Sequence, residues 1–479
     1  MKFFNVHLSA RSEDAERFDT LIAPSGTVAT LNHISKDCGI PAEGFDGAFP
    51  DEEKVQHAIK ASVEKSLSQG EIPVVMSTLL VYNAEQSLAF IADLKREFKQ
   101  RVVTVVGGQL VPFATRAYLG NDHIDAVCIG DGEVLIPEVA RDVQAGAVKG
   151  LYTGWLSSFL NRSRRGQFAF ASYDDFFQIQ ERLEAQKEFS GFSQLCIQGL
   201  GGPGCSWAAN NKHGACDFCA LQNIEEMNQR SLPELMQAER DLEDTFSPDR
   251  IFDVANQFLP FLNKVKNMQW LKKYIEERKK AGLRAKKYVY LTVGSIDEDI
   301  AALLAEAGVE EVFLGIDHFD PDALKEENKS HRSQSRLERT LNALAQNGIT
   351  FRVGVVLGSA TETERTLKTA EEGIHWIIDN YADSLVSLGA YPIYILPGSG
   401  VFERVRKMSD LQEVLHSFES KGYFTEEEEE YLTRAYIQRH SDVDADAVIE
   451  TANRLVAYAG AHIISHNYRQ SPGAERLKK

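Results

Sequence analysis

Three cysteines, Cys205, Cys216 and Cys219, fall within fifteen positions of a 479-residue chain. Gly201-Gly202-Pro203-Gly204 precedes the first, and Asp217-Phe218 separates the last two. A C-x2-C pair aims two sulfurs at one region, and a third thiol on a flexible loop can complete three-point ligation. Three thiolates are one short of the four that usually close a zinc or iron–sulfur site. Three chemistries fit. The first is a [4Fe–4S] cluster on these thiols with one iron left open, where a substrate or cofactor could bind. The second is structural zinc using the same thiols plus His213, in the pattern Cys-x7-His-x2-Cys-x2-Cys. The third is unliganded thiols. Phe218 tilts the balance toward the cluster, since an aromatic there would shield it from water, and exposure is one lever on a cluster's potential.

The surrounding elements must carry this loop. Residues 72–80, 101–106 and 126–129 read as strands, with helical spacing of Leu88, Ile91, Leu94 and Phe98 between the first two. The second strand ends at Gly107-Gly108 and the third at Gly130-Asp131-Gly132-Glu133. This is a βαβ series, so an open parallel sheet with ligands at the strand C-termini is expected. Residues 150–191 lack clear periodicity, carry the basic patch Arg162-Ser163-Arg164-Arg165, and read as a connector. A second βα series covers 194–397, with strands at 194–197, 287–293, 311–316, 350–357 and 384–391. Repeated units of this kind imply a full or partial barrel with chemistry at the C-terminal face of its strands. The cysteines follow its first strand. Beyond residue 400 the chain reads as helical and acidic, with 426–430 a solvated helix face. The predicted divisions are 1–150, 151–190, 191–400 and 401–479.

Composition narrows the partners. A net charge of −18 argues against a phosphate-tracking nucleic-acid surface and an anionic membrane. No apolar run approaches the ~20 residues of a membrane span, and no signal-peptide pattern opens the chain. Six cysteines in so long a chain are no disulfide framework, and a cytoplasmic location is expected. Cys38, Cys128 and Cys196 sit among apolar neighbours and read as core thiols.

In several separate pieces over residues 70–400 the chain resembles radical S-adenosylmethionine (SAM) enzymes with an N-terminal cobalamin (B12)-binding-type domain. The cysteine block resembles that family's cluster loop. Residues 303–309 leading into Phe313-Leu314-Gly315-Ile316-Asp317, with Asn328-Lys329, are similar to its fourth-strand region. Residues 354–363 resemble its fifth-strand signature, and Leu396-Pro397-Gly398-Ser399 a late loop. The implied fold is α/β: a Rossmann-like, B12-binding-type open parallel sheet, then a partial (β/α)6 TIM-type barrel and a helical C-terminal region. The implied cofactors are a [4Fe–4S] cluster on Cys205, Cys216 and Cys219, SAM, and cobalamin. The resemblance places Phe218, Asn256, Asp317, Gly354 and Gly358 toward SAM or the cluster. It places Ser77, Thr78, Gly107, Gly108, Gly130, Gly132 and Glu133 toward the corrinoid.

The implied reaction is reductive cleavage of SAM, with methyl transfer to an unactivated centre of a small molecule or peptide. It is fed by a low-potential donor such as flavodoxin or ferredoxin. The rivals are a radical SAM enzyme without cobalamin, doing hydrogen abstraction or rearrangement, and a zinc-stabilised non-catalytic protein on the same fold. Two departures stand out. The first gap in the cysteine loop is ten residues where the family usually has three, which makes Cys205 the least secure ligand. No Asp-x-His-x-x-Gly occurs, so a cobalt ligated by that histidine is not expected.

Overall fold

A computed structural model describes residues 1–8, 24–47, 51–154, 171–197, 205–210, 214–220, 231–329 and 333–467. Two compact units emerge. One comprises Met1–Gly202, Asp244–Pro248 and Asp410–Thr425; the other comprises Pro203–Glu243, Asp249–Ser409 and Glu426–Lys479.

The first unit is built on strands β1 (Lys2–His7), β2 (Ala42–Asp46), β3 (Pro73–Thr78), β4 (Val103–Gly107), β5 (Ala126–Ile129) and β6 (Leu151–Thr153). They pair in parallel in the order β2-β1-β3-β4-β5-β6. Every residue of β3 is buried, as a central strand of β-branched and apolar residues covered on both faces should be. The helix Ala84–Phe98 turns Leu88, Phe90, Ile91, Leu94 and Phe98 inward. Each such side chain contributes roughly 1.5–3 kcal/mol by leaving water. Ser25 and Asp51 accept backbone N–H groups at the starts of the helices Gly26–Asp37 and Glu52–Ser68, satisfying donors that the first turn would otherwise orphan. Strand order reverses between β1 and β3, and the C-terminal ends flanking such a reversal form the crevice where open α/β sheets bind ligands.

The aperiodic stretch 150–191 is more structured than its sequence suggests. It supplies β6 and the helix Ile179–Ser190, and it buries Tyr173 and Arg182. β1 and β2, with the helices Gly26–Asp37 and Glu52–Ser68, also precede the region where the βα pattern is plain. Cys196 is buried and Cys128 half-buried, but Cys38 is a correction. It caps the C-terminus of Gly26–Asp37 and is exposed there, since a helix-end position is not enclosed by the helix's buried face.

The second sheet has the order β12-β11-β10-β9-β8-β7. Its strands are β7 (Gln194–Ile197), β8 (Arg250–Asp253), β9 (Lys286–Thr292), β10 (Val309–Asp317), β11 (Thr350–Leu357) and β12 (Leu385–Pro392). β8 to β12 pair in parallel, with the helices Lys264–Ala281, Glu298–Glu306, Gln334–Gln346 and Glu364–Tyr381 between them in sequence. Six strands in one open order agree with a partial barrel. Past β12 come the helices Gly400–Val405, Gln412–Lys421, Glu426–His440 and Ala445–Asn467. Glu426 to Glu429 occupy the first turn of the third, where negative charge suits the helix dipole. No helix among the described residues is long and apolar enough to cross a membrane.

Candidate functional site

Cys205 is half-buried and immediately precedes the short helix Ser206–Asn210. It packs with Ala208 and Ala215, which brings the first thiol to the start of the C-x2-C segment despite the ten-residue gap. Cys216 is buried and Cys219 half-buried, and the Cys219 amide donates to the Cys216 carbonyl at 3.0 Å. Burial pushes the Cys216 thiol up to about 12; Lys329 opposes that rise, while Asp317, Cys219 and Cys205 add to it. Cys205 and Cys219 thus both lie near Cys216. Among the described residues no three His, Cys, Asp or Glu side chains converge on one point as ligands of a single ion. His213, the fourth donor of the zinc pattern, lies outside the described residues, as do Arg162 to Arg165.

The loop is clamped by its neighbours. Asn328 sits in the left-handed region at φ 56° and donates its side-chain amide to the carbonyls of Gly214 (3.1 Å) and Ala215 (2.7 Å). The Trp207 indole N–H donates to the Asn328 carbonyl at 3.1 Å, and the Asp217 amide to the Glu327 carbonyl at 3.1 Å. On its other side, the Asp217 carbonyl accepts from the Val401 amide, and its carboxylate pairs with Arg404, which also reaches the Tyr436 hydroxyl at 2.7 Å. A Cβ on Gly400 would strike Asp217, so only glycine lets that helix start come so near. Asn328-Lys329 was visible in the sequence only as part of a resemblance. Asp217 and Arg404 gave no signal, because their partnership spans 187 residues.

The C-terminal strand ends supply the next layer. Asp317 closes β10 at φ 65°, only 6% exposed, with Oδ2 2.7 Å from Lys329 Nζ. A buried non-glycine residue held there stores roughly 1–3 kcal/mol of backbone strain, which surrounding contacts must offset. Lys329 also lies 5.3 Å from the centre of the Phe218 ring. Phe218, Asp317 and Lys329 thus come together beside Cys216. His318, fully buried, accepts the Asp320 amide on Nδ1 at 2.9 Å and turns Nε2 toward Glu362 Oε1 at 3.4 Å. Glu362 in turn accepts the Gly358 amide at 2.8 Å. That buried link between the ends of β10 and β11 escaped the sequence reading.

Asn256 is exposed just beyond β8. Gly354 faces the Phe313 ring and Gly358 faces Ile437, each so closely that a Cβ would come within 2.9 Å or less. Their small size is thus already required by the chain's own packing.

In the first unit, Ser77 and Thr78 end β3 and are buried, and the Ser77 hydroxyl has no hydrogen-bond partner. Leaving such a group unpaired costs about 1–3 kcal/mol, so a polar partner there would stabilise it. Gly107 ends β4. Gly108, at φ 110°, passes so close to Leu79 that a Cβ would come within 2.6 Å of its carbonyl oxygen. Gly130, at φ 129°, meets Gly154 in the same way, and Gly132 abuts Leu31. Glu133 lies in the first turn of the helix Gly132–Gln144. Beside these strand ends, Asp46 is buried with Arg182 Nη1 at 2.9 Å and His7 Nδ1 at 3.7 Å.

Residues 202–373 match the family model described as the Radical SAM superfamily, so the chain carries a radical SAM domain. No curated protein matches the sequence. Among solved structures, the chain is similar to the radical SAM methyltransferase TsrM from Kitasatospora setae, solved with cobalamin and a [4Fe–4S] cluster bound. Identity is 17% and the TM-score 0.60, over 85% of this chain and 75% of that one. It is also similar to OxsB, a cobalamin-dependent SAM radical enzyme solved with aqua-cobalamin and SAM. There identity is 12% and the TM-score 0.60, over 96% of this chain and 61% of that one. At such identities the likeness is one of fold.

Proposed function

We propose that this chain, which carries a radical SAM domain, is a cobalamin-dependent enzyme that transfers a methyl group to an unactivated centre of a small molecule or peptide. The carrying observation is the clamped loop that sets Cys205 and Cys219 on either side of Cys216, with Asp317 and Lys329 beside it. Cluster thiolates each bind a different iron and leave one iron open, so three thiols suffice, whereas a closed tetrahedral zinc site needs a fourth ligand such as His213. The solved structures of TsrM and OxsB with cobalamin support the corrinoid half of the reading.

The residues fit the groups they would hold. Cys205, Cys216 and Cys219 would ligate the cluster, giving up their protons as metal replaces them. Lys329, paired with Asp317, puts a cation beside Cys216, where it favours thiolate over thiol. Asp317, Asn256 and the Gly354–Gly358 strand end would line SAM. The orphan Ser77 hydroxyl and Thr78 would meet the corrinoid at the end of β3. When bound, the cluster supplies one low-potential electron to SAM and the corrinoid carries the methyl group. The chain's own work is to position these groups and exclude water. Phe218 covers one side of the Lys329 ammonium, and the Asn328 clamp fixes the loop. A flavodoxin- or ferredoxin-type donor would deliver the electron.

The deciding experiment is anaerobic reconstitution with iron and sulfide, read by EPR with and without SAM, followed by titration with hydroxocobalamin. The reading expects a reducible [4Fe–4S] signal that shifts with SAM and one corrinoid per chain. Stoichiometric zinc in a colourless protein would overturn it. A SAM-responsive cluster with no corrinoid would leave hydrogen abstraction or rearrangement in its place.

A further inference from the structure

Three glycines, Gly315, Gly354 and Gly389, stand in register on β10, β11 and β12. Strand side chains alternate between faces, and the intervening Val353, Val355, Leu388 and Ala390 are buried on the opposite face. The space above each glycine is filled by a specific group. A Cβ on Gly354 would come within 2.9 Å of Phe313 Cζ, and one on Gly315 within 3.1 Å of Asp317 Oδ1. One on Gly389 would run into the Tyr391 ring. The glycine row thus lets two aromatic side chains lie down on the sheet, where larger residues would prop them up. Tyr290 meets Phe313 edge-on at 5.3 Å and 77°, and Phe252 meets Tyr290 in the same manner at 5.2 Å.

An ion-pair network lies beside this aromatic layer on the same face of the sheet. Glu311 accepts from Arg250 at 2.7 Å and from Arg352 at 2.5 Å, and both guanidiniums lie within 6 Å of the Tyr288 ring centre. A core cluster would be expected to close over its rings, yet Tyr391 is 37% exposed and Tyr290 and Phe313 are only half-buried. A part-exposed aromatic surface braced by ion pairs is organised to receive a flat group.

We infer that Phe313, Tyr391 and Tyr290 form the substrate floor, and that the substrate presents a planar aromatic or conjugated group to it. The inference rests on the proposed function, because Asp317, leaning over the first glycine of the same row, marks the side from which SAM would act. Rings stacked offset or edge-to-face discriminate a planar guest from a saturated guest of equal carbon skeleton by about three- to tenfold.

The test uses the full chain with 2-naphthol and decahydro-2-naphthol as probes, their binding followed by saturation-transfer NMR and titration. Wild type is expected to prefer 2-naphthol by that factor. Tyr391→Ala removes an exposed ring and should fold normally; Gly389→Ala keeps the ring but pushes it off the sheet. Both should lose the preference while the reconstituted protein keeps its SAM-dependent EPR shift. Equal binding of the two probes to wild type, or a preference that survives in both variants, would overturn the floor. A protein that shows the preference yet never forms a SAM-responsive cluster supports the floor and fails the functional reading alone.

Discussion

The Asn328 side chain donates to the Ala215 carbonyl at 2.7 Å across 113 residues of sequence, tying the segment after β10 to the residue before Cys216. The same amide reaches Gly214, and the backbone carbonyl of Asn328 accepts from Trp207. One residue therefore holds both sides of the cysteine loop, and its own φ of 56° is part of the arrangement.

Asn328→Ala should lose both hydrogen bonds, at about 0.5–1.5 kcal/mol each, and add about 1–2 kcal/mol for alanine in the left-handed region. Asn328→Gly loses the bonds without that strain. After reconstitution, iron and sulfide per chain should fall in the order wild type, Asn328→Gly, Asn328→Ala. Faster hydrogen exchange at residues 214–219 should accompany the fall. Full iron loading in both variants would show that the clamp does not matter to the loop.

Lys329→Met leaves the buried Asp317 carboxylate without the ammonium 2.7 Å away. Breaking one side of a buried pair costs about 3–5 kcal/mol, most of it the penalty of the stranded charge. Asp317→Asn in the same chain should recover much of that loss, giving a coupling energy of about 1–3 kcal/mol in a thermal double-mutant cycle. Additive losses would show that the two groups act independently.

The strands were legible wherever apolar runs were bounded by turns, as at 126–129, 194–197 and 350–357, whose observed limits coincide with the expected ones. β6 was not, because a three-residue edge strand with the pattern exposed-buried-exposed offers too little periodicity. The C-x2-C spacing marked the segment as a candidate metal site but left cluster, zinc and free thiols open, and only the resemblance chose among them. What sequence could not show was the partnering. Asp217 with Arg404, His318 with Glu362 and Asn328 with Ala215 each join segments far apart in sequence that only the fold brings together. Gly354 and Gly358, which the resemblance places toward SAM, are also pressed by the chain's own side chains, so packing alone already requires glycine at both.

The two metal chemistries part at His213. Under the cluster reading, Cys219→Ala should abolish iron retention, whereas His213→Ala should leave it unchanged. Under the zinc reading both should release metal to a similar extent. Elemental analysis of the anaerobically purified variants distinguishes them, and loss of metal in His213→Ala would count against the cluster.

Acid should weaken the first unit at one identifiable place. Burial by itself would raise the Asp46 carboxyl, but the Arg182 guanidinium at 2.9 Å, His7 and the Ser25 amide together hold it well below the usual carboxylate range. A carboxyl depressed in the folded state contributes stability that is complete above its unfolded value, about 3.9, and is lost as pH falls below it. Wild type should therefore keep a flat unfolding midpoint from pH 7 to about 5 and lose stability steeply below about 4. Asp46→Asn strands the buried Arg182 charge, so it should cost about 3–5 kcal/mol at neutral pH. It should also show a shallower acid slope, since the group that must take up the proton is gone. Urea titrations monitored by hydrogen exchange in β1 and β2 at pH 7, 5, 4 and 3 measure both effects. An unchanged acid slope in Asp46→Asn would assign the acid sensitivity to other carboxylates, and an unchanged neutral stability would mean that Arg182 finds water or another acceptor when Asp46 is lost.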